Sequence, residues 1–188
     1  MEPAMKRIFV VLAAPLTLVL GLGSGTAAAE PTALSDLAAA PAPVGIVCAG
    51  AQTTDYAPPL TNTTRNTKTK STENFNCSSL AGVSSATSTH TATSPQSCVL
   101  ALVPPTNTST RTYTWNTGQS STVTFFSSTV ATLANGTKVT TSVGTVTAGL
   151  GEGSTATRVV TLPSLSLTAC ATTGIDSLTG PATLEILP

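Results

Sequence analysis

Two hydrophobic patterns follow one another along this chain. Ile8 to Leu22 is an unbroken apolar run apart from Pro15, Thr17 and Gly21, with Lys6 and Arg7 before it and Ala27-Ala28-Ala29 behind it. A short positive segment, an apolar segment and a small-residue site have the layout of a cleavable signal peptide over residues 1–29, with cleavage expected before Glu30. The run falls short of the roughly 20 residues that a spanning helix needs. Residues 30–43 are rich in Ala and Pro and predict a flexible leader.

From Val44 onward the pattern changes to alternation, and Thr, Ser and Val dominate. Alternation over four to eight residues predicts half-buried strands. Ile46 to Cys48 opens the first. Thr67 to Cys77 places Lys68 and Lys70 on one face and Thr69, Ser71, Phe75 and Cys77 on the other. Cys98 to Val103 is apolar on both faces, as a central strand would be. Arg111 to Trp115 puts Tyr113 and Trp115 on one face, and Asn116-Thr117-Gly118 supplies a turn leading into Ser121 onward. Asn135-Gly136 is the strongest hairpin signal, with Thr137 to Thr147 returning. Ala156–Leu162, Ser166–Ala171 and Ala182–Leu187 read as further strands. Val83 to Ser94 suits an edge strand or an exposed loop.

These elements predict an all-β domain over residues 44–188: an antiparallel β-sandwich of about nine strands, Ig-like in general architecture. It is not a true immunoglobulin domain, because Trp115 abuts a turn and Thr168 stands where that fold's corner tyrosine belongs. Pro58-Pro59 in the segment Asp55 to Thr61 predicts a crossover from one sheet to the other.

The four cysteines, Cys48, Cys77, Cys98 and Cys170, all follow the leader. An even count behind a signal peptide predicts two structural disulfides in a secreted, extracellular protein. Three pairings are possible; the sequential one, Cys48–Cys77 with Cys98–Cys170, is favoured. No C-x-x-C spacing occurs and the only histidine is His90, so no metal site is expected.

Charge narrows the function further. Only 9% of residues are charged and the formal net charge is zero. Nucleic-acid binding depends on neutralising many phosphates, and the small cluster Arg65, Lys68, Lys70 does not supply that field. No stable membrane anchor is expected once the signal is cleaved. His90 lies in a Thr/Ser tract with no nucleophile motif. Asp55, Glu73, Glu152 and Asp176 are scattered rather than paired as a glycosidase requires. The expectation is a non-enzyme without cofactors. Aromatics make up 4% of the chain; Tyr56, Tyr113 and Trp115 are the candidate binding face, with core packing as the alternative role for the last two. Four N-x-S/T sequons, at Asn62, Asn76, Asn107 and Asn135, accompany the Thr/Ser richness.

The series Thr54–Thr61 (TDYAPPLT), Phe75–Cys77 (FNC), Tyr113–Gly118 (YTWNTG) and Val143–Gly149 (VGTVTAG) resembles small secreted β-rich proteins of actinobacteria. That resemblance implies an accessory or adaptor subunit of a secreted assembly and carries over no functional residue. Together these readings predict a secreted, non-catalytic interaction protein that binds another secreted protein through a strand edge or the Ala/Pro-rich arm. The alternatives are a module for a small ligand or glycan and, behind it, an extracellular hydrolase.

Overall fold

A computed structural model describes residues 44–102 and 108–188; the signal segment and the leader lie outside the described residues. The strands are β1 (Ile46–Leu60), β2 (Arg65–Ser79), β3 (Ser85–Gln96), β4 (Ser109–Trp115), β5 (Ser120–Thr132), β6 (Lys138–Gly149), β7 (Thr155–Leu162) and β8 (Ile175–Leu187). Among the described residues one α-helix, α1 (Leu167–Ala171), precedes β8, and Leu100–Leu102 forms one 3-10 turn.

All neighbouring strands are antiparallel and follow chain order. The first and last strands then pair, Ile46 opposite Ile186 and Thr54 opposite Leu178, closing the sheet into an eight-stranded barrel. This corrects the expected sandwich of nine strands. Alternation and short turns are common to both architectures; what separates them is the β1–β8 pairing, which no local pattern announces.

Two expected strands also change. Cys98 to Val103 does not form a strand where it is described. Cys98 donates its backbone N–H to Thr61 O at 2.9 Å, and Ser97 caps the following 3-10 turn by accepting from Leu100 N at 3.2 Å. Val99 and Leu100 are exposed, and Val103 lies outside the described residues. Ser166 to Ala171 is helical because the Ser166 side chain accepts from Ala169 N at 3.2 Å as an N-cap. Pro58-Pro59 has no second sheet to reach. It lies within the last residues of β1, where the register against β8 shifts between Asp55 and Leu60, and Pro59 O accepts from Arg65 Nη2 at 2.5 Å. The Val83–Ser94 tract resolves into strand β3, fully paired with β2 from Asn76–Ser85 to Arg65–Gln96.

Small barrels need places where strands bend sharply and backbones nearly touch. Gly50 and Gly180 serve this end: a Cβ on Gly50 would overlap the Asn74 carbonyl oxygen, and one on Gly180 the Thr161 carbonyl oxygen. Outward positions carry mostly Thr, Ser, Asn and Lys, such as Lys68, Lys70, Asn74 and Asn76. A lipid-facing barrel wears an apolar band there. No helix among the described residues is long and apolar enough to cross a membrane.

The interior is layered. At the end where β1 begins, Ile46, Phe75, Val123, Val146, Leu184 and Ile186 pack around Tyr113 and Trp115. The disulfide Cys48–Cys77 joins register partners of β1 and β2 in that layer. At the other end Leu60, Cys98, Cys170 and Ile175 form a second cluster under α1, tied by the disulfide Cys98–Cys170. Two disulfides suit an oxidising setting.

Candidate functional site

Between the two apolar ends lies a layer of polar side chains, and strand parity explains why. Glu73 occupies the same face of β2 as Phe75; Arg111 shares a face of β4 with Tyr113; Arg158 shares one of β7 with Ala156 and Val160. Each therefore points into the barrel. Glu73 has no exposed surface, and Gln52 and Arg158 are buried.

Arg158 grips Glu73 with two nitrogens, Nε donating to Oε1 at 2.5 Å and Nη2 pairing with the same oxygen. Its Nη2 also donates to Gln52 Oε1. Gln52 Nε2 donates to Thr54 Oγ1 at 2.9 Å, and Thr54 Oγ1 meets Ser71 Oγ at 3.1 Å. Across the barrel Ser128 and Ser142 hydroxyls pair at 2.9 Å. Arg111 approaches the same carboxylate with Nη1 3.9 Å from Oε1, too far for a hydrogen bond. One carboxylate thus faces two guanidiniums. Glu73 Oε2, Arg111 Nη1, Ser88 Oγ and Tyr113 OH are buried without a hydrogen-bond partner among the described residues. Such atoms are rare in folded proteins and ask for an explanation.

The ladder between β3 and β4 is short beside this layer. β3 and β4 pair only at Ala86–Trp115 and Thr87–Thr114. The Asn116 side chain reinforces that end, its Oδ1 accepting from Ser84 N at 2.8 Å and Ser85 N at 3.1 Å. Beyond Thr87 and Thr114 no ladder joins β3 to β4 among the described residues. His90, Ala92, Ser94 and Gln96 are half-buried along its inner face. The Arg111 side chain keeps 12% exposure beside this stretch of β3, although its Nη1 is buried.

Burial, Arg111 and Arg158 all push the His90 imidazole below its ordinary value, with Glu73 offsetting part of this. The neutral ring is therefore favoured beside the two guanidiniums. Burial, with the charge of Arg158, likewise lowers the Arg111 pKa against the pull of Glu73, as expected of a cation short of counter-charge.

Tyr113 and Trp115 face inward. They stack at 6.2 Å, and Phe75 tilts against Tyr113 at 6.3 Å. Trp115 Nε1 donates to Ser121 Oγ at 2.9 Å. The two rings form core, not an exposed patch. Tyr56 packs partly buried against the far cluster, away from them. Burial pushes the Tyr56 hydroxyl up to about 12. Burial raises Tyr113 further, helped by Glu73, which its hydroxyl faces without hydrogen-bond geometry. These are the only tyrosines in the chain. An acid whose folded pKa is raised stabilises the fold fully below its unfolded value, about 10, and loses that contribution as pH rises through the folded one. Absorbance at alkaline pH should therefore show almost no tyrosinate up to about pH 11 in the folded chain, and a normal rise near pH 10 once it is unfolded. A rise near pH 10 before unfolding would contradict the burial of both hydroxyls.

A separate concavity of about 420 Å³ lies where the β5–β6 turn meets the segment before α1, lined by Thr132, Gly136, Lys138, Ser164, Leu165 and Leu167. Burial lowers the Lys138 pKa there. Among the described residues no three His, Cys, Asp or Glu side chains are grouped to hold a metal.

Comparison of the chain with family models, curated proteins and solved structures finds no match. The site therefore stands on its own geometry. In the sequence Glu73 stands as one of several scattered carboxylates, and Arg111, Arg158 and Gln52 belong to no motif. The signal that finds them is a charged residue on the apolar face of an alternating strand.

Proposed function

We propose that the protein is an exported, non-catalytic binding protein that takes a small polar ligand at the β3–β4 seam. The observation that carries this reading is the coincidence of two features. The ladder between β3 and β4 is short where the interior holds an unbalanced guanidinium and buried polar atoms with no partner. Pockets that bind small molecules combine an apolar surround with a few convergent polar groups, and the Tyr113/Phe75 layer and Arg111 supply both. This favours the small-ligand alternative over the adaptor reading, and moves it from an aromatic face to the charged layer.

The adaptor reading keeps one specific support. The β3 edge from Ser88 to Gln96 has no ladder partner on its β4 side among the described residues, and such edges accept an added strand. Pro95 near its end limits how far pairing would run.

Native mass spectrometry of the protein purified from its source culture separates the two. A small molecule released on unfolding supports the ligand reading. A stoichiometric protein partner that slows amide exchange over Thr89–Ser94 supports the adaptor reading in its place. A bare monomer that stays bare when its culture filtrate is added back goes against both.

A further inference from the structure

Resting on the small-ligand reading, we infer that the seam binds a monocarboxylate, held by the guanidinium of Arg111.

The argument is one of charge and valence. The buried layer holds Glu73, Arg111 and Arg158. Arg158 occupies Glu73 Oε1 through two nitrogens and spends its remaining reach on Gln52. Glu73 is thus already neutralised, and Arg111 stands 3.9 Å off with a buried Nη1 unpaired. An arginine cannot shed its proton to escape this position. A buried charge without a hydrogen-bonded counter-ion is costly, and a carboxylate matches the planar fork of a guanidinium in a two-bond geometry. A ligand carboxylate reaching Arg111 through the seam would balance the layer. A dianion would overshoot it and stand against Glu73, which selects single charge. Phe75 and Tyr113 border the layer and are fully packed, so the carboxylate, not an apolar tail, carries the recognition.

His90 reports on the same place. Its charged neighbours are Arg111 on β4, Arg158 on β7 and Glu73 on β2. An anion arriving beside Arg111 cancels part of the positive field and raises the His90 pKa. As the chain has one histidine, its ring signals are unambiguous in a proton NMR spectrum.

The test titrates the disulfide-bonded protein with monocarboxylates from acetate to benzoate, and in parallel with their neutral amides. The expected result is a saturable shift of the His90 ring signals by the carboxylates alone, together with a rise in the His90 pKa. Arg111→Gln should weaken that binding more than about tenfold, the scale of a lost charged hydrogen bond. Trp115 emission checks that the barrel stays intact. If Arg111→Gln does not fold, Arg111→Lys keeps the charge, loses the fork and should still bind more weakly. Amides that bind as well as the acids, or undiminished carboxylate binding by the Arg111 variants, would overturn this inference and leave the small-ligand reading standing. If neither series moves His90, both fall.

Discussion

Glu73→Gln is expected to destabilise the fold by about 3–5 kcal/mol, the usual consequence of removing one partner from a buried ion pair. The side chain has no exposed surface, and its carboxylate is the counter-charge for Arg158 and, at longer range, for Arg111. The amide is nearly the same shape, so little of the loss comes from packing. It comes from two guanidiniums left facing one another in the barrel. Domains of this size are held by only about 5–15 kcal/mol in total, so the loss would show as a large fall in denaturant midpoint with the slope unchanged. The double variant Glu73→Gln/Arg158→Met should recover part of it, because the uncompensated charge goes too and neighbouring substitutions are not additive. A single variant within about 0.5 kcal/mol of the parent would mean that solvent, not Glu73, balances the layer.

Removing the disulfide Cys98–Cys170 should cost about 4 kcal/mol, the chain-entropy value for a closed loop of 72 residues. The location adds to this. Cys98 and Cys170 are half of the four-residue cluster that seals the barrel under α1, and Asn62 N–H donates to Cys170 O at 3.0 Å beside it. Cys98→Ser/Cys170→Ser should therefore lower Tm and increase amide exchange in α1 and the end of β1, ahead of the rest. Cys48→Ala/Cys77→Ala closes a shorter span of 29 residues between strands already paired, so its loss should be smaller and without local opening. Equal losses in both variants, with exchange unchanged near α1, would show that the second cluster seals the barrel end without its disulfide.

Much of the fold follows from local pattern. The inward parity of Thr69, Ser71, Phe75 and Cys77 on β2 matches alternation, as does that of Tyr113 and Trp115 on β4. The Asn135-Gly136 turn between β5 and β6 follows from residues that tolerate its backbone. Closure was not legible, because Ile46 and Ile186 meet from opposite ends of the domain. The apolar run at Cys98 misleads for another reason: a disulfide and a capped 3-10 turn fix its place, while Val99 and Leu100 stay exposed. The charged layer is half legible. Glu73 and Arg158 break the apolar face of their strands, yet their pairing across 85 positions is a property of the closed barrel alone.

That closure also orders events in time. Every other pairing joins consecutive strands, so hairpins can assemble one by one from the first strand onward. The seam between β1 and β8 is different: it joins the first and the last strand of the barrel in chain order. The barrel cannot be completed until the final strand is free, and the Glu73–Arg158 pair must stay solvated until β2 and β7 are brought round. Contacts so distant in sequence make for slow folding, and the closed barrel forms only once β8 is in place.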